Sequence, residues 1–282
     1  MTARLAIDIG GTKTLVALVD GAEILGEVEA ATARELAPAE WCDAIARAAE
    51  PWAGRFDRVG AAVTGVVVGG LWSAMNPKTL PVPERFPLAR ELSARFRRPA
   101  FCYNDAQAAA WGEHRFGAGE GRDLVFVTVS TGIGGGAMLN GKLLIGRGGL
   151  GGSAGLTWLG STPQSRVEDI SAGRWMADAA RARGHQVDVP KIFAAARAGE
   201  AWASEIVDAS AEVVATLLVN LQLLFDPPVF VIGGGVGLAE GYLDKLRSRC
   251  DRQPPLCRPE LRLAALGRNA GIIGAADLAA AV

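Results

Sequence analysis

The chain has 282 residues, half of them apolar and 21% charged, which is the composition of a globular protein. Lys and Arg number 29 against 30 Asp and Glu, and the net charge of -1 argues against nucleic acid or an anionic membrane as a partner. Four cysteines without C-x-x-C spacing and only two histidines argue against a disulfide framework and against a zinc site. No apolar run reaches the roughly 20 residues of a membrane span and no signal-peptide core is found, so we expect a cytoplasmic protein.

Two stretches of the chain share one pattern of strand, turn, strand, turn and strand. The first runs from Arg4 to Glu29, with glycines after its first strand and Asp20-Gly21 after its second. The second runs from Leu124 to Gly146, and a shift of 120 residues lays Asn140-Gly141 on Asp20-Gly21 without a gap. An Asp-Gly or Asn-Gly dipeptide between two apolar runs is typical of a β-hairpin. We therefore expect a duplicated unit, each copy opening its own domain.

Helix and strand patterns alternate in the rest of the chain. Apolar residues at three- and four-residue spacing predict amphipathic helices at 38–52, 88–96, 106–115 and 201–225, and an alanine-rich closing helix is predicted at 270–282. Short apolar runs predict buried strands at 59–63, 100–103 and 229–232. This alternation is typical of α/β layers.

The first glycine turn has the sequence Asp8-Ile9-Gly10-Gly11-Thr12-Lys13. Glycines let backbone N–H groups approach a phosphate closely, and the Thr12 hydroxyl adds a donor. Asp8 stands at a strand end, where a carboxylate can hold a magnesium ion through water. A strand follows the turn, so neither a Walker P-loop nor a Rossmann turn fits. An ordinary tight hairpin is the alternative interpretation.

Two further glycine clusters follow apolar strands. Ser130-Thr131-Gly132-Ile133-Gly134-Gly135-Gly136 is the repeat of the first turn, and this relation favours a second phosphate-binding hairpin over a merely flexible one. In Val231-Ile232-Gly233-Gly234-Gly235 the glycines would let an adenine and its ribose lie against the backbone. For this cluster, a turn that serves only packing is the alternative.

A carboxylate stands where a predicted strand meets a predicted helix, in Tyr103-Asn104-Asp105-Ala106-Gln107. Asn or Asp at such a junction is commonly a helix cap. In a nucleotide-binding protein the same carboxylate is placed to act as a general base, because the helix N-terminus keeps it ionised and it can accept the proton of an attacking hydroxyl. Both interpretations remain open for Asp105 from the residues alone.

Four motifs in this order and spacing resemble the ROK family of sugar kinases, over essentially the whole chain. They are Asp8 to Lys13, Asn104-Asp105-Ala106-Gln107-Ala108-Ala109, Ser130 to Gly136, and Ile232-Gly233-Gly234-Gly235. Within the family, the similarity is greatest to members that act on N-acetylmannosamine, as shown by Lys142-Leu143-Leu144 with Gly148-Gly149-Leu150, and by Gly237-Leu238-Ala239-Glu240-Gly241-Tyr242-Leu243.

The resemblance implies a fold, namely the actin-like ATPase (ribonuclease H-like) fold with two α/β domains around a cleft. It places residues 1–115 and 267–282 in an N-terminal domain and residues 116–266 in a C-terminal one. Each domain would contain a mixed five-stranded sheet, and sugar would bind between the two. A homodimer is also expected from the family.

The resemblance also implies an activity. The chain would be an ATP-dependent, Mg²⁺-using kinase that phosphorylates the 6-hydroxyl of N-acetylmannosamine, a small-molecule sugar, as in sialic acid catabolism. A ROK glucokinase or N-acetylglucosamine kinase, or a catalytically weakened sugar-binding relative, are the alternatives. A transcription repressor of the family is not expected, because its DNA-reading domain precedes the first strand, which here begins at Arg4.

Roles carry over residue by residue from the family. Asp105 would be the catalytic base. The substrate-binding residues would be Gly65, Thr79, Asn104, Asp105, Ser153 and Glu168. The residues that bind Mg-ATP would be Asp8, Gly10, Gly11, Thr12, Lys13, Thr131, Gly132, Gly234 and Gly235.

The chain departs from the family where many members carry a Glu-x-Gly-His segment and a zinc-binding cysteine cluster. Here the segment is Ser153-Ala154-Gly155-Leu156 and the cluster is replaced by Thr162-Pro163-Gln164-Ser165-Arg166-Val167-Glu168, so every zinc ligand is absent. We expect packing or contacts of Arg166 and Asp169 to hold this loop. Ser153 and Leu156 remove a charged and an aromatic sugar contact, which bears on sugar preference. His114 and His185 are expected at the surface.

Overall fold

The computed structural model of the protein describes residues 3–75, 80–160 and 166–281. The chain divides into two units. The first comprises Met1–Phe116, Leu143–Gly151 and Arg268–Val282, and the second comprises Gly117–Lys142 and Gly152–Gly267. Residues 143–151 thus group with the first unit, whereas the sequence pattern assigned them to the second. Each unit is described by itself.

The described residues form strands and helices that are numbered here in chain order. The strands are β1 (Arg4–Ile9), β2 (Lys13–Asp20), β3 (Glu23–Ala31), β4 (Val59–Val63), β5 (Val66–Val68), β6 (Leu71–Ser73), β7 (Ala100–Asn104), β8 (Leu124–Val129), β9 (Ile133–Leu139), β10 (Lys142–Leu143), β11 (Phe230–Gly233) and β12 (Leu261–Leu263). The helices are α1 (Pro38–Ala48), α2 (Leu88–Phe96), α3 (Asp105–Phe116), α4 (Val167–Ser171), α5 (Gly173–Ala182), α6 (Val189–Arg197), α7 (Ala201–Phe225), α8 (Gly234–Gly237), α9 (Tyr242–Cys250) and α10 (Ala270–Ala280).

The sheet of the first unit has the strand order β3-β2-β1-β4-β7. The hairpin strands β1, β2 and β3 pair antiparallel, whereas β1, β4 and β7 run parallel. All of β4 is buried, as expected for a parallel strand that is covered on both faces. Ile9 lies opposite Val63, and Val63 lies opposite Asn104. The carboxyl ends of the three parallel strands therefore meet at one edge of the sheet.

The backbones of helices α10 and α3 are in direct contact, because glycine lies at the points where the two helices meet. A Cβ atom on Gly274 would come within 1.8 Å of the Ala108 carbonyl oxygen, and one on Gly112 within 2.5 Å of the Ala270 carbonyl oxygen. Most of α3 is buried, including His114, which is 8% exposed. The expectation that His114 lies at the surface is therefore wrong, because burial around α3 depends on long-range packing that its local sequence pattern does not show.

The sheet of the second unit has the order β10-β9-β8-β11-β12 and repeats the first. Strand β8, at 124–129, is β1 shifted by 120 residues, and it pairs antiparallel with β9 and parallel with β11, as β1 does with β2 and β4. Both copies of the predicted duplication therefore contain a mixed five-stranded sheet.

Helix α7 is the core helix of the second unit. Its length and its mean hydropathy of 1.5 over 18 residues would suit a membrane span, a combination found once in the described part of the chain. However, 56% of that window is buried inside the structure, where α7 contacts α4, α5, α6 and α9. This burial is what a core helix of a globular domain shows.

Candidate active site

The edge where β1, β4 and β7 end carries the predicted catalytic carboxylate. Asp105 is the first residue of α3, and its Oδ1 accepts a hydrogen bond from the Ala106 amide at 2.8 Å. Burial raises the pKa of Asp105 to about 6, and hydrogen bonds from Ala106, its own amide and Asn104 oppose the rise. No basic side chain contributes to this shift. Asp105 is therefore a carboxylate poised near neutral pH, as a general base should be.

A second carboxylate shares this environment. Asp8 lies one residue before the end of β1, and burial raises its pKa to about 7, with the negative charge of Asp105 as the second cause. The start of α10 lies next to both, since a Cβ on Gly271 would be 3.9 Å from Asp8 Oδ2 and 3.6 Å from the Asp105 carbonyl oxygen. Two carboxylates whose charges repel in a poorly solvated place are a suitable donor set for a hard cation such as Mg²⁺.

The Asn104 side chain hydrogen-bonds both to the start of α3 and to Gly65, the residue just before β5. Its Oδ1 accepts the amides of Ala106 and Gln107 at 3.0 and 3.1 Å, and its Nδ2 donates to the Gly65 carbonyl at 2.9 Å. Gly65 needs to be glycine, because its φ is +113° and a Cβ would meet the Ser73 carbonyl at 2.5 Å. The predicted sugar ligands Asn104 and Gly65 are thus brought together, and Asn104 also serves as the helix cap.

In the first glycine turn, carbonyl groups accept hydrogen bonds from backbone amides of the same unit. The Gly10 amide donates to the Lys13 carbonyl at 2.9 Å, and the Thr32 amide donates to the Thr12 carbonyl at 3.0 Å. Gly11 is partly exposed and Thr12 is exposed. Lys13 is also exposed, and its Nζ forms an ion pair with Glu29 at 2.6 Å.

The second glycine turn is held by the beginning of α5. The amides of Gly173 and Arg174 donate to the carbonyls of Ser130 and Thr131 at 2.7 and 3.1 Å, and the Ser130 amide closes the turn on the Gly132 carbonyl at 2.9 Å. A Cβ on Gly173 would meet the Ser130 carbonyl at 2.7 Å, so this close approach requires glycine. The turn therefore directs its carbonyls into the unit.

A cavity of about 650 Å³ opens beside this second turn. Its apolar wall comes from α5, α6, α8 and the residues just after α8, namely Ala177, Val189, Pro190, Phe193, Val236 and Ala239. Ser130, Thr131 and Gly235 also line it. The volume lies in the range of small-molecule pockets, and the apolar wall could hold a flat base. Charged residues also line the cavity, namely Arg174, Asp178, Arg181, Asp188, Arg197 and Glu240. The sequence did not indicate α5 and α6 here, because their contribution depends on long-range packing.

Gly234 and Gly235 differ in what surrounds them. Gly234 has a φ of +82°, and a Cβ there would lie 2.3 Å from the Val129 carbonyl oxygen. Gly235 has open space around its position. Of the two residues predicted to bind nucleotide, Gly234 thus permits the contact of β11 with β8, and Gly235 faces the cavity.

Glu168 and Ser153 lie near the start of β9. A Cβ on Gly132 would be 3.0 Å from Glu168 Oε2, and burial raises the pKa of Glu168 although the Ile133 amide and Arg174 oppose the rise. Ser153 precedes the 3₁₀ turn Ala154–Leu156, which contacts both β9 and α4. Thr79 lies outside the described residues.

The loop that replaces the cysteine cluster is closed at its ends by Trp158 and Arg166. They form an isolated antiparallel bridge, and the Arg166 guanidinium lies 5.3 Å from the centre of the Trp158 ring. Asp169 pairs with Arg174 at 3.6 Å. Over the described ranges, which omit 161–165, no group of three or more His, Cys, Asp or Glu could hold a metal ion.

Solved structures establish the class of protein that this duplicated sheet defines. The ROK hexokinase of Thermus thermophilus is 34% identical, with a TM-score of 0.83 over 99% of this chain and 98% of that one. A ROK glucokinase of Streptomyces griseus, solved with glucose and AMPPNP, is 29% identical, with a TM-score of 0.85 over 99% and 100%. The fold is therefore that of the actin-like sugar kinases, which confirms the expected fold class.

The sequence profile of the ROK family matches residues 4–282, and the chain belongs to this family. Among curated relatives, the bifunctional enzyme NanE/NanK of Brucella melitensis is 47% identical over 98% of this chain and 54% of its own length. The chain thus spans about half of that relative. The N-acetylmannosamine kinase of Salmonella arizonae is 40% identical over 98% of this chain and 97% of its own.

Proposed function

We propose that this protein is an ATP-dependent kinase that phosphorylates the 6-hydroxyl of N-acetylmannosamine. The observation that carries the proposal is the Asp105 carboxylate, which stands at the start of α3 with a pKa raised to about 6 and with no basic side chain contributing to that shift. The relatives named N-acetylmannosamine kinase support the choice of sugar, since one of them is 40% identical over nearly its whole length.

In the proposed reaction, Asp105 accepts the proton of the sugar hydroxyl as that oxygen attacks. The new bond forms between the hydroxyl oxygen and the γ-phosphorus, while the bond from that phosphorus to the oxygen bridging it to the β-phosphorus breaks. The products are the sugar 6-phosphate, ADP and a proton on Asp105. Asn104 orients this carboxylate in two ways, because it caps the same helix and its side chain hydrogen-bonds to Asp105.

Phosphate binding in the first unit is assigned to Gly10, Gly11, Thr12 and Lys13. Their turn directs carbonyls inward, which leaves its outer side for an anion. Mg²⁺, once bound, would neutralise charge on the phosphates as they react. Asp8 would hold it through water. Burial, followed by repulsion from Asp105, raises the pKa of Asp8, and a cation there would relieve that repulsion.

Nucleoside binding is assigned to the cavity in the second unit. Thr131 and Gly132 would contact phosphate through the turn, and Gly234 and Gly235 would lie beside the nucleoside. The support is the apolar wall of Val189, Pro190 and Phe193, against which a flat base can pack.

The choice of sugar is assigned to Gly65, Thr79, Asn104, Ser153 and Glu168, with Ser153 and Leu156 as the departures from the common family pattern. A glucokinase or hexokinase activity is the second candidate, because two structural neighbours carry those names. We place the reaction in the cytoplasm, where ATP is available, with a homodimer as the proposed assembly.

The test is release of ADP by the purified protein with Mg-ATP and a panel of N-acetylmannosamine, N-acetylglucosamine, glucose and mannose. The proposal expects the highest kcat/KM with N-acetylmannosamine. A higher value with glucose would replace it by the second candidate. Calorimetric binding of a sugar without turnover at any ATP concentration would show a sugar-binding relative that has lost its activity.

A further inference from the structure

Two threonines that no part of the proposed function uses lie behind the first glycine turn. Thr14 is on β2, and Thr32 follows the last residue of β3. Their hydroxyl oxygens are 2.9 Å apart, and Thr32 Oγ1 is 2.9 Å from the Gly10 carbonyl oxygen. Thr32 is only 8% exposed, so water does not replace these bonds readily.

The direction of these hydrogen bonds follows from the number of protons. A hydroxyl has one proton to donate, and a carbonyl oxygen only accepts. Thr32 therefore donates to the Gly10 carbonyl, and Thr14 must be the donor to Thr32. The result is a relay of two hydroxyls, Thr14 to Thr32 to Gly10.

Thr32 holds the turn at two points. Its side chain donates to the Gly10 carbonyl, and its backbone amide donates to the Thr12 carbonyl at 3.0 Å. Together with the bond from the Gly10 amide to the Lys13 carbonyl, these contacts occupy the carbonyls of Gly10, Thr12 and Lys13 from within the unit. Because the Gly10 amide is itself occupied by the Lys13 carbonyl, an anion at this turn would be bound by the amides that follow Gly10.

We propose that Thr32, backed by Thr14, is a positioning residue for nucleotide binding, acting through the conformation of the Gly10–Lys13 turn. The inference rests on the proposed function in so far as the anion is the phosphate chain of ATP. Loss of the Thr32 hydroxyl leaves the Gly10 carbonyl without its partner and frees the turn to rotate it outward, toward the phosphates. The affinity for nucleotide then falls, whereas the affinity for sugar stays the same because the proposed sugar-binding residues keep their own contacts.

The experiment compares Thr32→Val, which removes the hydroxyl at nearly constant volume, with Thr32→Ser, which keeps it. Binding of AMPPNP with Mg²⁺ is measured by calorimetry, and KM for ATP and for N-acetylmannosamine by ADP release. For Thr32→Val the Kd for AMPPNP and the KM for ATP should rise roughly tenfold, the cost of one buried hydrogen bond. The KM for the sugar should change less than about twofold, and Thr32→Ser should restore most of the nucleotide affinity.

Two other variants keep the inference falsifiable if Thr32→Val does not fold. Thr14→Val removes only the outer hydroxyl of the relay and should raise the Kd for AMPPNP by a few-fold, because Thr32 keeps its bond to Gly10. Thr216→Val is the matched control, since Thr216 Oγ1 also donates to a carbonyl, that of Glu212 at 2.9 Å, but on the exposed side of α7. It should bind AMPPNP as the unmodified protein does.

Unchanged AMPPNP affinity in folded Thr32→Val, or in Thr14→Val where Thr32→Val is unfolded, overturns the inference. So does a Thr32→Ser variant that is as weak as Thr32→Val. Failure of the proposed function is distinguishable, because it would appear as an unmodified protein that binds AMPPNP but phosphorylates no sugar in the panel. In that case the dependence of AMPPNP binding on the Thr32 hydroxyl would still stand.

Discussion

The two glycine turns are copies of one hairpin, yet the protein supports them in different ways. Part of the support of the first turn comes from a side chain, since the Thr32 hydroxyl donates to the Gly10 carbonyl in addition to the bond from the Thr32 amide to Thr12. The second is held by backbone, since the amides of Gly173 and Arg174 at the start of α5 donate to Ser130 and Thr131. A substitution of Thr32 can remove the side-chain part of the first support, whereas support of the second turn depends on how closely the start of α5 approaches it.

The residues around the turns have also diverged. With the shift of 120 residues, Thr128 is the equivalent of Asp8 in the second copy, and Ile133 is the equivalent of Lys13. In the first copy these positions carry charges of both signs. In the second copy Thr128 packs where β11 arrives, with its Oγ1 2.6 Å from where a Cβ of Gly234 would be. The duplication therefore kept the backbone but not the side chains. The first unit carries the carboxylates of Asp8 and Asp105 at the edge of its sheet, here called the acidic edge, and the second unit carries the nucleoside-sized cavity.

The largest effect is expected from neutralising the acidic edge. Asp105→Asn keeps the shape of the side chain but cannot accept a proton, so kcat for sugar phosphorylation should fall by about 10²- to 10⁴-fold. Affinity for AMPPNP should change little, because the second unit supplies the cavity. Stopped assays of sugar phosphate and calorimetry measure the two quantities.

The matched control is Asp244→Asn on α9, where the carboxylate is exposed and pairs only with Arg247 at 3.4 Å among the ion pairs of the described residues. Its kcat should equal that of the unmodified protein. Turnover in Asp105→Asn within a few-fold of normal would remove Asp105 from the role of base.

Adjacent glycines of the second unit offer a sharper contrast. Gly234→Ala should destabilise the fold by about 2–4 kcal/mol, from a strained positive φ and a Cβ 2.3 Å from the Val129 carbonyl oxygen. Gly235→Ala meets open space and should leave the free energy of unfolding within about 0.5 kcal/mol. Because Gly235 lines the cavity, its methyl group should instead weaken AMPPNP binding several-fold. Urea unfolding and calorimetry separate the two effects, and equal losses of stability would contradict the contrast.

The acidic edge should also show itself in the pH dependence of activity. The pKa values of Asp105 and Asp8, about 6 and about 7, lie above the ordinary 3.8. Asp105 must be ionised to act as base, so kcat/KM for the sugar should fall on acidification below about pH 6–7, as the coupled pair takes up protons. A profile that stays flat down to pH 5 would contradict this.

Stability should respond to pH in the opposite sense. The folded state binds these two protons more tightly than the unfolded state does, so their contribution to the free energy of unfolding decreases as pH rises from about 4 to about 7. Asp8→Asn removes the larger shift. The Tm difference between pH 5 and pH 8 should therefore move toward greater stability at pH 8 in this variant, and an unchanged difference would count against the shared environment of Asp8 and Asp105.

The smallest effect is expected at Lys13, whose counterpart in the second turn is uncharged. Its ion pair with Glu29 is exposed, so Lys13→Ala should change the free energy of unfolding by less than about 1 kcal/mol. If Lys13 binds phosphate as proposed, KM for ATP should still rise by a few-fold and become less sensitive to salt. A KM for ATP that does not change would remove Lys13 from the nucleotide-binding set.

Local patterns in the sequence predicted the elements whose own residues determine them. The predicted helices at 88–96 and 201–225 and the strand at 59–63 coincide with α2, α7 and β4. The internal repeat predicted two equivalent sheets, and the Asn104-Asp105 pair predicted the junction of β7 with α3. The Gly69-Gly70 pair, between apolar runs, is a hairpin signal that would have found β5 and β6.

What the sequence could not supply depends on contacts between distant segments. The cavity wall is formed by α5 and α6, whose apolar residues become a wall only once α5 docks on the Ser130–Gly132 turn. Thr32 is separated from Gly10 by 22 positions, and its hydrogen bond depends on how β3 returns along β2. The close packing at Gly112 depends on α10, which lies more than 150 residues further along the chain.

Helix α10 has a consequence for how the protein is made on the ribosome. It completes the packing around α3, which begins with Asp105, but the whole segment 152–267 is translated before it. Residues 4–116 therefore emerge before the second unit, and the face of α3 that carries Gly112 stays uncovered until α10 has been synthesised. The part of the molecule that bears the proposed base is thus translated before the second unit and completed only after it.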